Sequence, residues 1–228
     1  MTSTVPRQSR REPARIPTGR VIMVASSGAV LAFLDATIVN VAFSDIRTSF
    51  PSASIPDLSW VLNAYNIVFA AFLVVFGRLC DLVGRRRTFT WGLLLFTGAS
   101  VACGVAPSVE FLVLARVAQA FGAAMLVPAT LALVIASTTG AQRTHAIGLW
   151  GASAAVAAGV GPAVGGALVQ WGGWRWAFLV NLPFGLVAYY LGRRNLVESR
   201  APGRRAVPDL LGALVFASIA LVAWLAVR

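Results

Sequence analysis

The chain has 228 residues, of which 58% are hydrophobic and only 12% charged, with a mean hydropathy of +0.78. Soluble domains hold roughly 45–50% apolar residues, so this composition excludes an ordinary water-soluble fold and points to a helical membrane protein. The formal charge of +11 raises nucleic acid as a partner, but the basic residues, all arginine, sit in short segments between apolar runs. There they act as topology signals rather than phosphate contacts.

Residues 1–20 are polar and carry Arg7, Arg10, Arg11, Arg15 and Arg20, which reads as a disordered basic cytoplasmic tail. The apolar run that follows is longer than the 7–15 residues of a signal-peptide core, so it is expected to be a retained helix. A spanning helix needs about twenty mostly apolar residues. By that measure seven are expected, over 21–43, 58–77, 88–107, 111–136, 146–170, 177–192 and 209–227, with 193–208 as a cytoplasmic linker. The fold class is therefore an all-α membrane protein. Its connecting segments hold five arginines in the tail, four in 78–87, one in 137–145 and five in 193–208, whereas the opposite side holds only Arg47 and Arg175. That bias places the N-terminus in the cytoplasm and the chain, multi-pass, in the cell membrane. Trp60, Trp171, Trp174 and Trp176 lie near helix ends, where indole rings anchor at the membrane interface.

In the first helix stands Leu34-Asp-Ala-Thr-Ile-Val-Asn40. A carboxylate within an apolar span costs roughly 2.5–3.5 kcal/mol to insert and normally faces a bundle interior, which makes Asp35 a candidate functional residue. Thr37 and Asn40 can hydrogen-bond between helices. In the fourth helix Arg116 and, one turn on, Gln119 share a face. At 1.5 Å per residue, Asp35 and Arg116 come out about 12 and 8 Å below the same membrane surface. Either Arg116 snorkels to the interface, or it pairs with Asp35 and a bound proton or cation can break the pair.

Between the second and third spans lies Gly77-Arg-Leu-Cys-Asp-Leu-Val-Gly-Arg-Arg-Arg87, a charged turn containing Gly77, Arg78, Asp81, Gly84, Arg85 and Arg86. Asp81 and Arg85, four apart, can pair if the segment has a helical turn, or Asp81 can cap a helix start. The fifth helix has Gly159-Val-Gly-Pro-Ala-Val-Gly-Gly166. Gly161 and Gly165 offer a smooth groove to a neighbouring helix, and Pro162 removes a backbone donor and is expected to kink the helix. No catalytic set emerges, since His145 is expected to be solvated in a loop and neither cysteine has a metal or redox spacing. A P-loop requires a lysine that the chain lacks. Neither enzyme, cofactor nor metal is expected.

These four blocks, Asp35–Asn40, Gly77–Arg87, Arg116–Ala124 and Gly159–Gly166, resemble the major facilitator superfamily in order and placement. The block at Gly159, Gly161, Pro162, Gly165 and Gly166 is similar to the signature of its antiporter branches. The first-helix block and Trp174-Arg-Trp-Ala-Phe-Leu-Val-Asn-Leu-Pro183 look like the fourteen-helix drug/proton antiporters. Ala120 and Ala157 stand where that pattern often has glycine. The resemblance implies a six-helix N-terminal bundle over 21–192, with 209–228 as the first of two linking helices. It implies proton coupling or substrate recognition for Asp35, proton relay for Arg116, and a cytoplasmic gate at Gly77, Asp81, Gly84 and Arg85. The fifth-helix glycines and Pro162 would flex and pack during alternating access.

The expectation is thus half of a proton-coupled exporter of small amphipathic or cationic compounds such as antibiotics. Its partners are the bilayer, protons, substrate and a missing C-terminal half, and the proton gradient is its energy source. The alternatives are transport of another solute, or a truncated non-transporting protein acting by helix association. In the complete protein, Asp35→Asn is expected to abolish efflux while leaving expression near normal.

Overall fold

A computed structural model describes residues 17–200. These residues form α1 (Thr18–Ser49), α2 (Ile55–Val83), α3 (Arg85–Gly104), α4 (Val109–Ala136), α5 (Gly140–Gly172), α6 (Arg175–Leu179) and α7 (Asn181–Asn195). Four of them, α1, α2, α4 and α5, are long and apolar enough to cross a membrane. Of the expected tail over 1–20, residues 1–16 lie outside the described residues, whereas Thr18, Gly19 and Arg20 already belong to α1. The expected seventh span over 209–227 and the second half of the 193–208 linker, 201–208, also lie outside them.

The helices run past the apolar stretches that announce them. The first span ends at Ser49 rather than residue 43, and the second continues to Val83. Helical backbone therefore occupies most of the charged segment, with only Gly84 outside a helix between Cys80 and Arg87. The polar ends are stabilised locally: Ser54 Oγ accepts from Asp57 N at 3.2 Å at the start of α2, and Ser108 Oγ accepts from Phe111 N at 3.3 Å at the start of α4. His145 lies within α5 and not in a loop, although it is exposed as expected. The sixth span is two helices divided at Val180. Pro183 explains the division, because it has no N–H to give the carbonyl of Leu179. Pro162 does not interrupt α5, which is continuous from Gly140 to Gly172.

α4 is central and packs against α1, α2, α3 and α5. Two close approaches set the helix spacing. A Cβ on Gly165 would lie 3.1 Å from Ile38 Cα and 3.2 Å from Ile38 O, and a Cβ on Gly161 would collide with Thr37 Oγ1, so α5 sits directly on the backbone of α1. Likewise a Cβ on Gly92 would lie 3.0 Å from Gly122 O, drawing α3 onto α4. Of the fifth-helix block, Gly159 and Gly166 would meet nothing within 4 Å and lie away from this contact.

Two apolar clusters fill the bundle. One contains Val24, Leu31, Phe89, Phe96, Leu126 and Leu133; the other contains Ile38, Ile46, Leu58, Leu112, Trp174 and Phe178. Trp174, expected at the membrane interface, is 2% exposed. Its indole donates to Ser49 Oγ at 2.9 Å and its backbone N–H to Asp45 Oδ2 at 3.1 Å, so it closes the end of the bundle. Trp171 and Trp176 remain exposed.

Gly165→Ala is expected to destabilise the bundle by about 1–3 kcal/mol, because backbone rather than a flexible side chain meets the new methyl. Gly159→Ala, with open space around it, is expected to be neutral or mildly stabilising. Thermal melts of the two purified variants in one detergent, followed by tryptophan fluorescence, make the comparison. Equal Tm values would refute the packing assignment.

Candidate functional site: a buried ion pair and a capped charged turn

Between the two apolar clusters lies a thin polar layer. On α1 Asp35 separates Ala32 from Ile38; on α4 Arg116 and Gln119 separate Ala115 from Ala120; on α3 Ser100 separates Phe96 from Cys103; and Asn181 follows Phe178. Each of these polar side chains is essentially inaccessible, with Asp35 at 0% and Arg116 at 1%. Arg116 does not snorkel. Its Nη1 donates to Asp35 Oδ2 at 2.7 Å and to Gln119 Oε1 at 2.7 Å, while its Nε donates to Val61 O at 3.1 Å. The guanidinium also lies 3.9 Å from the ring centroid of Tyr65, a cation–π contact strengthened by exclusion of water.

The other carboxylate oxygen, Asp35 Oδ1, accepts from Gln119 Nε2 at 2.9 Å and from Asn181 Nδ2 at 2.6 Å. Ser100 Oγ accepts from the same two amides, at 2.7 Å from Gln119 and 3.2 Å from Asn181. Cys103 Sγ donates to Gln119 Oε1 at 3.8 Å. Asp35, Arg116 and Gln119 thus meet as the sequence suggests. Thr37 and Asn40 do not join them: Thr37 donates back to Leu34 O at 2.9 Å, and Asn40, exposed, donates to Ala36 O at 2.7 Å. Sequence reasoning missed Tyr65, Ser100, Cys103 and Asn181 as site members. Asn181 alone carried a signal, as an amide inside an apolar stretch.

Chemically, the layer holds one positive and one negative charge in a water-excluded interior. Neither charge can be removed alone without leaving its partner buried and uncompensated. A proton on Asp35 would neutralise the carboxylate and release Arg116 from its partner.

The charged turn is the second constellation. Gly84 has φ +128, a conformation open to glycine, and this lets α2 end and α3 begin within one residue. Asp81 and Arg85 pair at 3.1 Å; Arg78 is exposed and Gly77 packs near Pro128. As a glycine N-cap, Gly84 has no side chain to satisfy the first amides of α3. Glu198 does so instead, its oxygens accepting from Arg86 N at 3.2 Å and Arg87 N at 3.2 Å. Arg85 N donates to Ser199 O at 3.0 Å, and Arg86 Nη2 donates to Arg193 O at 3.2 Å. Residues 198–200, within the expected cytoplasmic linker, are therefore bound to the turn.

Burial of the pair gives each single substitution a stability cost as well as a functional one. Either Asp35→Asn or Arg116→Leu alone is expected to cost about 3–5 kcal/mol, whereas the double substitution recovers part of that loss. A double-mutant cycle on unfolding in lipid reads the coupling, and additive losses would refute it. Glu198→Gln is expected to weaken the cap by about 1 kcal/mol and raise deuterium uptake over 84–90. Unchanged exchange there would count against Glu198 as the cap.

The chain is 39% identical over 227 residues to the methylenomycin A resistance protein of Streptomyces coelicolor, covering 97% of this chain and 47% of that protein. It is 42% identical over 196 residues to the multidrug resistance protein Stp of Mycobacterium tuberculosis, covering 86% of this chain and 36% of the relative. The chain thus spans about half the length, or less, of these relatives. The crystal structure of a bacterial homologue of the human lysosomal transporter Spinster, inward-facing and unoccupied, superposes with a TM-score of 0.67 at 21% identity, over 84% of this chain and 46% of that one, a likeness of fold. The family model of the Major Facilitator Superfamily matches residues 25–228, and the chain belongs to that superfamily.

Proposed function

We propose that this chain is the N-terminal half of a proton-coupled exporter of small amphipathic or cationic compounds, antibiotics among them, working by alternating access with a second bundle. The observation that carries the reading is the occluded Asp35–Arg116 pair at 2.7 Å. It is the one buried ion pair among the described residues, and the cost of burying it is unneeded for a merely structural bundle. The roles of the relatives in resistance to methylenomycin A and to multiple drugs support export of toxic small molecules.

In this reading Asp35 takes the proton, and Arg116, held by Gln119, responds to the change in its partner. Asn40 lies exposed on α1 and is placed to meet substrate, while Thr37 belongs to the packing of α1 against α5. Gly77, Arg78, Asp81, Gly84, Arg85 and Arg86 form the cytoplasmic gate, where the Asp81–Arg85 pair and the Glu198 cap hold the turn in shape. Gly159, Pro162 and Gly166, on the part of α5 away from α1, contact the second bundle. The protein resides in the plasma membrane with its N-terminus in the cytoplasm.

Proteoliposomes containing the chain joined to a C-terminal bundle are expected to move a fluorescent lipophilic cation when a pH gradient is imposed, and to stop when a protonophore collapses it. The chain alone should show no flux. Asp35→Asn should abolish gradient-driven movement, and Arg85→Ala should slow turnover more than it weakens binding. Flux indifferent to the protonophore would overturn the proton coupling.

A further inference from the structure

The buried layer contains two amide side chains with unlike constraints. Gln119 is engaged at both ends: Nε2 donates to Asp35 Oδ1 and Ser100 Oγ, and Oε1 accepts from Arg116 Nη1 and Cys103 Sγ. Turning it over would place its oxygen against a carboxylate and its NH2 against a guanidinium. Asn181 is engaged at one end only. Its Nδ2 donates to Asp35 Oδ1 at 2.6 Å and to Ser100 Oγ at 3.2 Å. Its Oδ1 is fully buried and has no hydrogen-bond partner among the described residues. A buried acceptor left unused is a cost that native interiors rarely carry without a reason.

From this asymmetry we propose that Asn181 is a reversible partner of Asp35, donating to the carboxylate when Asp35 is ionised and accepting from its O–H when Asp35 is protonated. The inference rests on the reading of Asp35 as a proton-binding group. An ionised carboxylate only accepts hydrogen bonds, whereas a protonated one has a single O–H to donate. When a proton adds to Oδ1, the new O–H and the Nδ2–H of Asn181 face each other as two donors. A half-turn of the Asn181 amide about its last side-chain torsion then brings the spare Oδ1 to the new O–H. The two bonds from Nδ2, to Asp35 Oδ1 and to Ser100 Oγ, break and one from the new O–H forms, Ser100 Oγ keeps its bond from Gln119, and no atom other than the proton enters the layer.

The position of Asn181 suits this exchange. It opens α7 immediately after the division at Val180, where Pro183 has already interrupted the backbone ladder. Among the described residues, the other titratable or charged groups facing Asp35 are Arg116 from α4, Tyr65 from α2 and Cys103 from α3. Arg116 and Gln119 hold the Oδ2 side and half of the Oδ1 side, so Asn181 is the neighbour with an acceptor to spare. It is a positioning residue, acting through Asp35.

Infrared difference titration of the full chain in lipid nanodiscs, with asparagine carbonyls isotopically labelled, tests this without requiring transport. A protonated-carboxyl band abolished by Asp35→Asn reports Asp35, and an amide band abolished by Asn181→Leu reports Asn181. The proposal expects the Asn181 carbonyl band to move to lower frequency with the same pH midpoint as the Asp35 band. Asn181→Leu should also change the frequency of the protonated Asp35 carboxyl band, because it removes the acceptor of the new O–H. If Asn181→Leu does not fold, Asn181→Ser, whose hydroxyl both donates and accepts, serves for the band assignment. An Asp35 band that titrates while the Asn181 band stays still overturns the exchange and leaves the proton reading intact. An Asp35 band that never appears overturns both.

Discussion

The ion pair between Asp35 and Arg116 is the constraint on which the remaining arrangement depends. Taking a carboxylate and a guanidinium out of water carries a penalty of several kcal/mol per ion, offset only when the geometry is good and the remaining donors and acceptors are used. The helices around the pair supply that geometry. α4 brings Arg116 and Gln119 on successive turns, α2 offers a backbone carbonyl and the Tyr65 ring, α3 contributes Ser100, and α7 contributes Asn181. Apolar clusters on both sides exclude water, which strengthens each contact and raises the cost of breaking one.

Small residues make this possible. Because α5 rests on the backbone of α1 at Gly161 and Gly165, and α3 approaches α4 at Gly92 and Gly122, the interhelical distances are short enough for short side chains to span them. A serine and an asparagine can serve in the polar layer only where backbones come close. In a bilayer, where lipid is as apolar as leucine, such close contact is itself the principal attraction between helices.

Much of this was legible in the sequence. Runs of about twenty apolar residues marked the helices, and the rise per residue placed Asp35 and Arg116 at matching depth. The spacing of three brought Gln119 onto the same face. What escaped was non-local. Ser100 looks like any serine in an apolar helix, and Tyr65 like any aromatic, until folding sets them beside a charge. The helix ends were misjudged because hydropathy records burial in lipid, whereas helical hydrogen bonding continues through Asp81 and Leu82 toward Gly84. The anchoring of 198–200 was invisible because the cap of α3 comes from a residue 112 positions away.

That distance has a consequence for the order of folding. Bringing Glu198 to Arg86 in a free chain would cost about 4 kcal/mol of loop-closure entropy, more than a single cap returns. The contact becomes favourable only after α3 and α7 have packed side by side and shortened the gap. Closure of the turn is therefore a late event, reached after the bundle core has assembled, and by the same reasoning an early one to open. The turn can loosen and re-form while the helices stay together, because its stability is borrowed from a bundle that does not depend on it.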